Sequence, residues 1–268
     1  MTVMAPPSRI AADAVGLAEL TERAELLTRI DRKYLLTAEA AESVLDALAE
    51  LAPRVLEIDG IRDFAYESVY FDTPELLSYR LAAHGRRRRF KLRTRGYLDT
   101  DGAYLELKTQ GSRSATVKER VEVDPDRRSE LTGEGLAHVR DGLAGLGLPS
   151  QTVDRLRPTE ITSYRRTTLL LPGSAARATV DTDLEWVDLG AGTTAAGGGR
   201  MSRPDLVVIE TKSPGGAGEV DRILRSLGHR PTRISKFATG LAAMRPDLPA
   251  NRWARVLRRH FSDHRSPE

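Results

Sequence analysis

The chain has 268 residues, 41 of them basic and 38 acidic, for a formal net charge of +3 at pH 7, an excess too small to argue for a nucleic-acid coat. It has no cysteine, which excludes disulfides, thiolate nucleophiles and Cys-based zinc or iron–sulfur sites. No apolar run approaches the roughly 20 residues that cross a bilayer, and residues 1–12 lack the basic flank and apolar stretch of a signal peptide, so the expectation is a cytoplasmic globular protein.

Residues 1–20 read as a loosely ordered N-terminus, with apolar residues at helical spacing over 17–27. Residues 29–36 alternate, Asp31 and Lys33 pointing one way and Arg32 and Tyr34 the other. Thr37 is a candidate N-cap for a helix that Pro53 ends. A strand is predicted over 67–72, then a short helix opened by Thr73-Pro74 and closed by Gly85. Residues 87–95 alternate with Arg87, Arg89, Lys91, Arg93 and Arg95 on one face. Asp101-Gly102 signals a hairpin. Beyond it Tyr104, Glu106 and Lys108 share a face, and over 115–123 so do Lys118, Arg120 and Glu122. A helix is predicted over 129–146 and strands over 160–171 and 177–186, the latter with Arg177, Thr179, Asp181 and Asp183 at one parity. A Gly/Ala/Thr loop spans 190–199. The most apolar strand, 206–212, places Val208, Glu210 and Lys212 opposite Val207 and Ile209. Helices follow over 219–227, from Ser235 to Met244, and over 253–261, the last amphipathic and basic. No repeat or linker divides the chain; one domain over 21–245 with a C-terminal helical segment, 246–268, is expected.

About eight strands with helices between only some of them suggest an antiparallel sheet closing on itself, an α+β fold built round a barrel. Only six of the basic residues are lysine (33, 91, 108, 118, 212 and 236), and all lie in or beside predicted strands. A compact ammonium and a planar guanidinium are not interchangeable, so this placement is patterned. An alternating charged strand is most often a solvated face. Five strands with cations at matching parity suggest instead a converging basic surface whose excess charge needs an anion with several charges, phosphates being the obvious class. Carboxylates without Cys or patterned His favour a hard cation, Mg²⁺ or Mn²⁺. There is no G-x-x-x-x-G-K-[ST] loop and no G-x-S-x-G elbow. Arg86–Arg89 alone could be a nucleic-acid patch, but it lacks the interleaved aromatics of a single-strand platform.

Nine short motifs carry a family resemblance: Arg-Lys-Tyr at 32–34, Tyr-Phe-Asp-Thr at 70–73, Lys-Leu-Arg-Thr-Arg at 91–95, Glu-Leu-Lys at 106–108, Val-Lys-Glu-Arg at 117–120, Tyr-Arg-Arg at 164–166, Arg-x-Thr-x-Asp at 177–181, Glu-x-Lys at 210–212 and Ser-Lys-Phe at 235–237. In this order they resemble the VTC domain, the polyphosphate polymerase catalytic domain of the vacuolar transporter chaperone complex, over roughly residues 28–245. That domain belongs with the CYTH proteins to the triphosphate tunnel metalloenzymes. The resemblance implies an antiparallel eight-stranded β-barrel tunnel with flanking helices, lined with Lys and Arg. It implies a triphosphate such as ATP bound inside with Mn²⁺ or Mg²⁺, and transfer of the terminal phosphate to a growing inorganic polyphosphate chain. On this sequence Lys33, Arg93, Arg95, Lys108, Lys118, Arg166 and Arg177 would grip phosphates, with Lys91, Arg120 and Lys212 as wall residues. Glu210 would hold the metal, with Asp181 and Glu106 as further candidates, and Lys236 would close the product side. The CYTH opening Glu-x-Glu-x-Lys reads here Arg29-Ile30-Asp31-Arg32-Lys33, which favours the VTC branch over the two-metal hydrolases and puts a metal role for Asp31 in doubt. No membrane segment or phosphate-sensing helical module is attached, so a separate membrane partner or a cytosolic product is implied. The alternatives are a triphosphatase in the same site, a non-catalytic polyphosphate or nucleotide binder, and an RNA-binding protein using Arg86–Arg89 and the basic C-terminal helix.

Overall fold

A computed structural model describes residues 12–24, 30–110, 116–173, 176–190 and 198–262. Residues 1–11 of the expected loose N-terminus lie outside the described residues, as do Arg29 and most of the Gly-rich loop, whereas residues 12–20 are described. In chain order the elements are β1 (Ala14–Val15), α1 (Leu17–Ala24), β2 (Ile30–Thr37), α2 (Ala38–Ala49), β3 (Arg54–Leu56), β4 (Phe64–Asp72), α3 (Leu77–Ala83), β5 (Arg89–Tyr97), β6 (Gly102–Gln110), β7 (Thr116–Glu122), α4 (Gly133–Gly145), α5 (Gln151–Asp154), β8 (Arg157–Leu170), β9 (Arg177–Asp188), β10 (Arg200–Arg203), β11 (Leu206–Ser213), α6 (Glu219–Ser226), α7 (Lys236–Met244) and α8 (Ala254–His260). Among the described residues no helix is long and apolar enough to cross a membrane.

Eight strands follow one another by hydrogen bonding in the order β2-β11-β9-β8-β4-β5-β6-β7. The pairs β2–β11, β11–β9, β4–β5, β5–β6 and β6–β7 are antiparallel. The α+β antiparallel class expected from the sequence is therefore found, but among the described residues the sheet is not closed by hydrogen bonds: β2 and β7 end the path and are not paired with each other. Both ends have a physical reason. At β2 the Lys33 carbonyl accepts the Thr232 N–H at 2.7 Å, so a connecting segment meets that strand. At β7 Lys118, Glu119 and Arg120 are all exposed, and a charged edge resists further pairing.

The described residues fall into two compact units, one within 1–65, 164–184 and 202–234, the other within 66–163, 185–201 and 235–268. In the first, α2 and α6 cover one face of β2, β11 and β9. Tyr34, Leu36, Val180, Val207 and Ile209 pack there with Val44, Leu48 and Leu224. Thr37 caps α2 as expected, accepting the Ala40 N–H at 3.3 Å. Asp221 of α6 is wholly buried and accepts hydrogen bonds from Tyr34 Oη and Thr211 Oγ1 (2.7 Å each), Arg32 Nη1 (3.1 Å) and the Gly218 N–H (2.9 Å). It thus ties the helix start to both strands.

In the second unit α4 covers β5 and β6, with Leu92, Leu105 and Leu107 against Val139 and Leu143. The helix expected over 129–146 begins only at Gly133, whose φ is +52°, and a 3₁₀ turn over Pro125–Arg127, capped by Asp124, precedes it. The helix expected from Thr73-Pro74 starts at Leu77. Leu76 takes a left-handed φ of +57°, and buried Asp72 accepts the N–H groups of Thr73, Ser78 and Tyr79 at 2.8–2.9 Å. Gly240 of α7 lies so close to Trp186 that a Cβ there would sit 2.2 Å from the indole Cδ1, and the indole N–H donates to the Lys236 carbonyl at 2.9 Å.

Candidate active site

Strand register assembles a charged face in each unit, opposite the core face, because cross-strand partners share a side. In the first unit three rows cross β2, β11 and β9: Asp31, Lys212 and Arg177; Lys33, Glu210 and Thr179; Leu35, Val208 and Asp181. Glu210 is the hub. Lys212 Nζ lies 2.6 Å from its Oε1 and Lys33 Nζ 3.8 Å from its Oε2. Burial alone would raise the Glu210 carboxyl, but Lys33, Lys212 and Arg166 outweigh it and hold the group well below the usual carboxylate range. Burial lowers the Lys212 ammonium against the pull of the same carboxylate. Arg166 of β8 grips Asp181 with two parallel bonds, Nε–Oδ1 at 2.6 Å and Nη2–Oδ2 at 2.8 Å, and Asp181 is fully buried. Asp183, the next residue of that parity, leaves the face: it is exposed, at φ +49°.

In the second unit the rows cross β5, β6 and β7: Lys91, Lys108 and Lys118; Arg93, Glu106 and Arg120; Arg95, Tyr104 and Glu122. Six cations stand there against two carboxylates. Glu106 is only 4% exposed and binds Lys118 Nζ at 2.7 Å through Oε1, and Arg93 Nη2 at 2.7 Å and Arg95 Nη2 at 3.6 Å through Oε2. Burial would raise this carboxyl too; Arg93 and Lys118 win and lower it. Tyrosines wall the cations. Arg93 donates to Tyr70 Oη at 3.1 Å, Lys91 lies 5.1 Å from the Tyr70 ring centre, Arg95 lies 5.8 Å from Tyr66, and Arg120 lies 5.1 Å from Tyr104. Lys236 is half-buried at the first position of α7, where Ser235 caps the helix and Phe237 stacks on Tyr70 at 4.9 Å.

The sequence-predicted residues therefore gather by unit: Lys33, Arg166, Arg177, Asp181, Glu210 and Lys212 in one, Lys91, Arg93, Arg95, Glu106, Lys108, Lys118, Arg120 and Lys236 in the other. Sequence reasoning missed Tyr66 and Tyr70, although they alternate at one parity in β4. It also missed Glu160, fully buried on β8 at the parity of Tyr164 and Arg166, with neither carboxylate oxygen hydrogen-bonded. Burial, then the Asp188 charge, raise the Glu160 carboxyl well above its ordinary value; Lys91 and Arg245 oppose them. Asp188 and Arg245 themselves form a pair at 2.5 Å, each 1% exposed.

No group of three His, Asp or Glu side chains is arranged to hold a metal among the described residues. Asp181 and Glu106 have both oxygens engaged by guanidinium or ammonium groups. Glu210 also meets cations, Lys212 at 2.6 Å on Oε1 and Lys33 at 3.8 Å from Oε2, but the longer approach leaves Oε2 the less engaged, and as an ionised carboxylate it would suit a hard cation.

The VTC domain model matches residues 28–245, and the chain belongs to that family. None of the curated proteins matches it in sequence. Among solved structures, a candidate adenylyl cyclase from Hippeastrum, described as having a dominant triphosphatase activity, is 16% identical with a TM-score of 0.51, covering 79% of this chain and 94% of its own. A candidate adenylate cyclase from Bacillus halodurans is 16% identical with a TM-score of 0.49, covering 77% and 93%. The fold is that of the triphosphate tunnel class.

Proposed function

We propose that this protein catalyses metal-dependent phosphoryl transfer from ATP or another triphosphate to a growing inorganic polyphosphate chain. The observation that carries the reading is the face of β5, β6 and β7, where six cations stand against two carboxylates and three of them grip buried Glu106, an excess of positive charge on one face that suits a polyanion. Family membership over residues 28–245 supports it.

Arg93 and Arg95 offer planar forks that can take two phosphate oxygens each, while Lys108 and Lys118 act as point charges. Such preorganised cations offset charge on the equatorial oxygens of the phosphoryl group in flight, so no protein nucleophile is required. Glu106 holds Arg93, Arg95 and Lys118 in place, and Asp181 fixes Arg166. Glu210 would hold Mn²⁺ or Mg²⁺, which supplies charge neutralisation between neighbouring phosphates.

Incubation with ATP and Mn²⁺, resolved on a gel that separates long-chain polyphosphate from free phosphate, tests the proposal. Polymer is expected from the wild type, with turnover falling by roughly 10²-fold or more in Arg93→Ala and Lys108→Ala. Free phosphate without polymer would make water the acceptor and overturn the polymerase reading. Wild-type turnover in both variants would remove these residues from the site.

A further inference from the structure

The second unit carries another basic cluster that the proposed chemistry does not use. Arg86, Arg87 and Arg88 are exposed in the turn after α3, and Arg89 and Arg252 lie beside them half-buried. None of the five pairs with a carboxylate among the described residues. Arg89 Nη1 donates only to the Arg86 carbonyl, at 2.8 Å, and burial together with the neighbouring Arg252 charge lowers the Arg89 guanidinium. Like charges are thus drawn together with no counter-ion among the described residues.

Their positions are fixed by two helix ends. After α3 the Gly85 N–H donates to the Ala82 carbonyl and the Arg86 N–H to the Leu81 carbonyl, with Gly85 at φ +64°. After α4 the Gly147 and Leu148 N–H groups donate to the Ala144 and Leu143 carbonyls, with Gly147 at φ +74°. Both are Schellman turns, which need a left-handed residue at that point. A guanidinium lies over each glycine: Arg252 Nη1 would be 2.6 Å from a Cβ at Gly85, and Arg88 Nη1 3.5 Å from one at Gly147. The partial negative charge of a helix C-terminus favours each of these cations. That accounts for where Arg252 and Arg88 sit. Roughly half a charge per helix end does not neutralise five arginines.

We infer that the Arg86–Arg89 turn and Arg252 form a second anion-binding surface, which holds a long inorganic polyphosphate chain away from the residues that carry the transfer. The choice of polyphosphate as the polyanion rests on the function proposed above. Consecutive guanidinia without an interleaved aromatic suit a chain that bears charge at every unit and has no base to stack, which disfavours single-stranded nucleic acid.

The test is the Arg86→Ser, Arg87→Ser, Arg88→Ser triple variant of the full chain, with Arg89 left intact because it shares a strand with the transfer residues. The three side chains are exposed, so the fold is expected to persist, and an unchanged melting temperature checks this. Long-chain polyphosphate, tripolyphosphate and a single-stranded RNA are each titrated across a salt series. The variant is expected to lose about tenfold or more in affinity for long-chain polyphosphate, with a flatter salt dependence. Its affinity for tripolyphosphate should stay at the wild-type value. Unchanged affinity for long-chain polyphosphate overturns the inference, and so does a loss confined to RNA. A wild type that neither binds tripolyphosphate nor turns over ATP, yet loses long-chain binding in the variant, would sink the proposed function and leave this surface standing.

Discussion

Replacing Glu106 by Gln removes the carboxylate that Arg93, Arg95 and Lys118 share while keeping the shape of the side chain. Glu106 is 4% exposed, Arg93 and Arg95 about as buried as a strand face allows, and Lys118 nearly half exposed. Breaking a buried ion pair from one side costs about 3–5 kcal/mol, and an exposed pair only about 0.2–1. Since two partners are largely buried and one is not, the expected loss is roughly 2–4 kcal/mol, or a melting temperature lower by on the order of 4–16 °C. The loss should depend on pH. Glu106 is held below its ordinary value, so its stabilisation is fully present above the unfolded carboxylate value, about 4.3, and is lost as pH falls through the folded one. Wild type and Glu106→Gln should therefore converge in acid. The loss should grow smaller with saturating tripolyphosphate, which replaces the missing counter-charge. Urea or thermal melts at pH 7.5 and at pH 3, each with and without tripolyphosphate, read all of this. A variant as stable as the wild type at pH 7.5, or a deficit that does not shrink in acid, would refute the hub assignment.

Glu160→Gln should act in the opposite sense. The folded Glu160 carboxyl is raised, so its favourable contribution is present below the unfolded value and lost as pH rises through the folded one. The Gln variant should be the more stable of the two above neutrality, with the gap closing toward about pH 4; equal melting curves at every pH would contradict this. Gly240→Ala forces a methyl against the Trp186 ring and should cost about 1–3 kcal/mol despite the better helix propensity of Ala, with a change in the near-ultraviolet circular dichroism of the indole. A higher melting temperature would show that the ring can yield. Asp221→Asn leaves Arg32 without its carboxylate and turns an amide donor toward one of four donors, so roughly 3–5 kcal/mol should go in denaturant melts. A loss under about 1 kcal/mol would reduce Asp221 to an ordinary cap.

The charged faces were legible because strands have a period of two and one side of each is core: Leu92, Leu105 and Leu107 are buried exactly out of phase with Arg93, Glu106 and Lys108. The row partners were not, since register is a matter of pairing between strands far apart in sequence, as with Lys33, Glu210 and Thr179. Closure failed for the same reason. Whether β2 meets β7 depends on what else reaches its edge, and Thr232, two hundred residues on in round terms, does so. The two-residue β1 and three-residue β3 are too short to show any period. Leu76 gave no signal of its left-handed turn, because the strain there is held by Asp72 and its three N–H donors. Glu160 stood at a visible parity, but its neighbours Asp188 and Arg245 come from elements that only folding brings to it.

Titration calorimetry of tripolyphosphate tests the central claim most directly, using the wild type and two variants of the β5–β7 face, Arg93→Ala and Lys108→Ala. Saturable binding by the wild type is expected, with each variant weakened by about tenfold or more and still folded. Wild-type affinity in both variants, or no binding at all by the wild type, would contradict it.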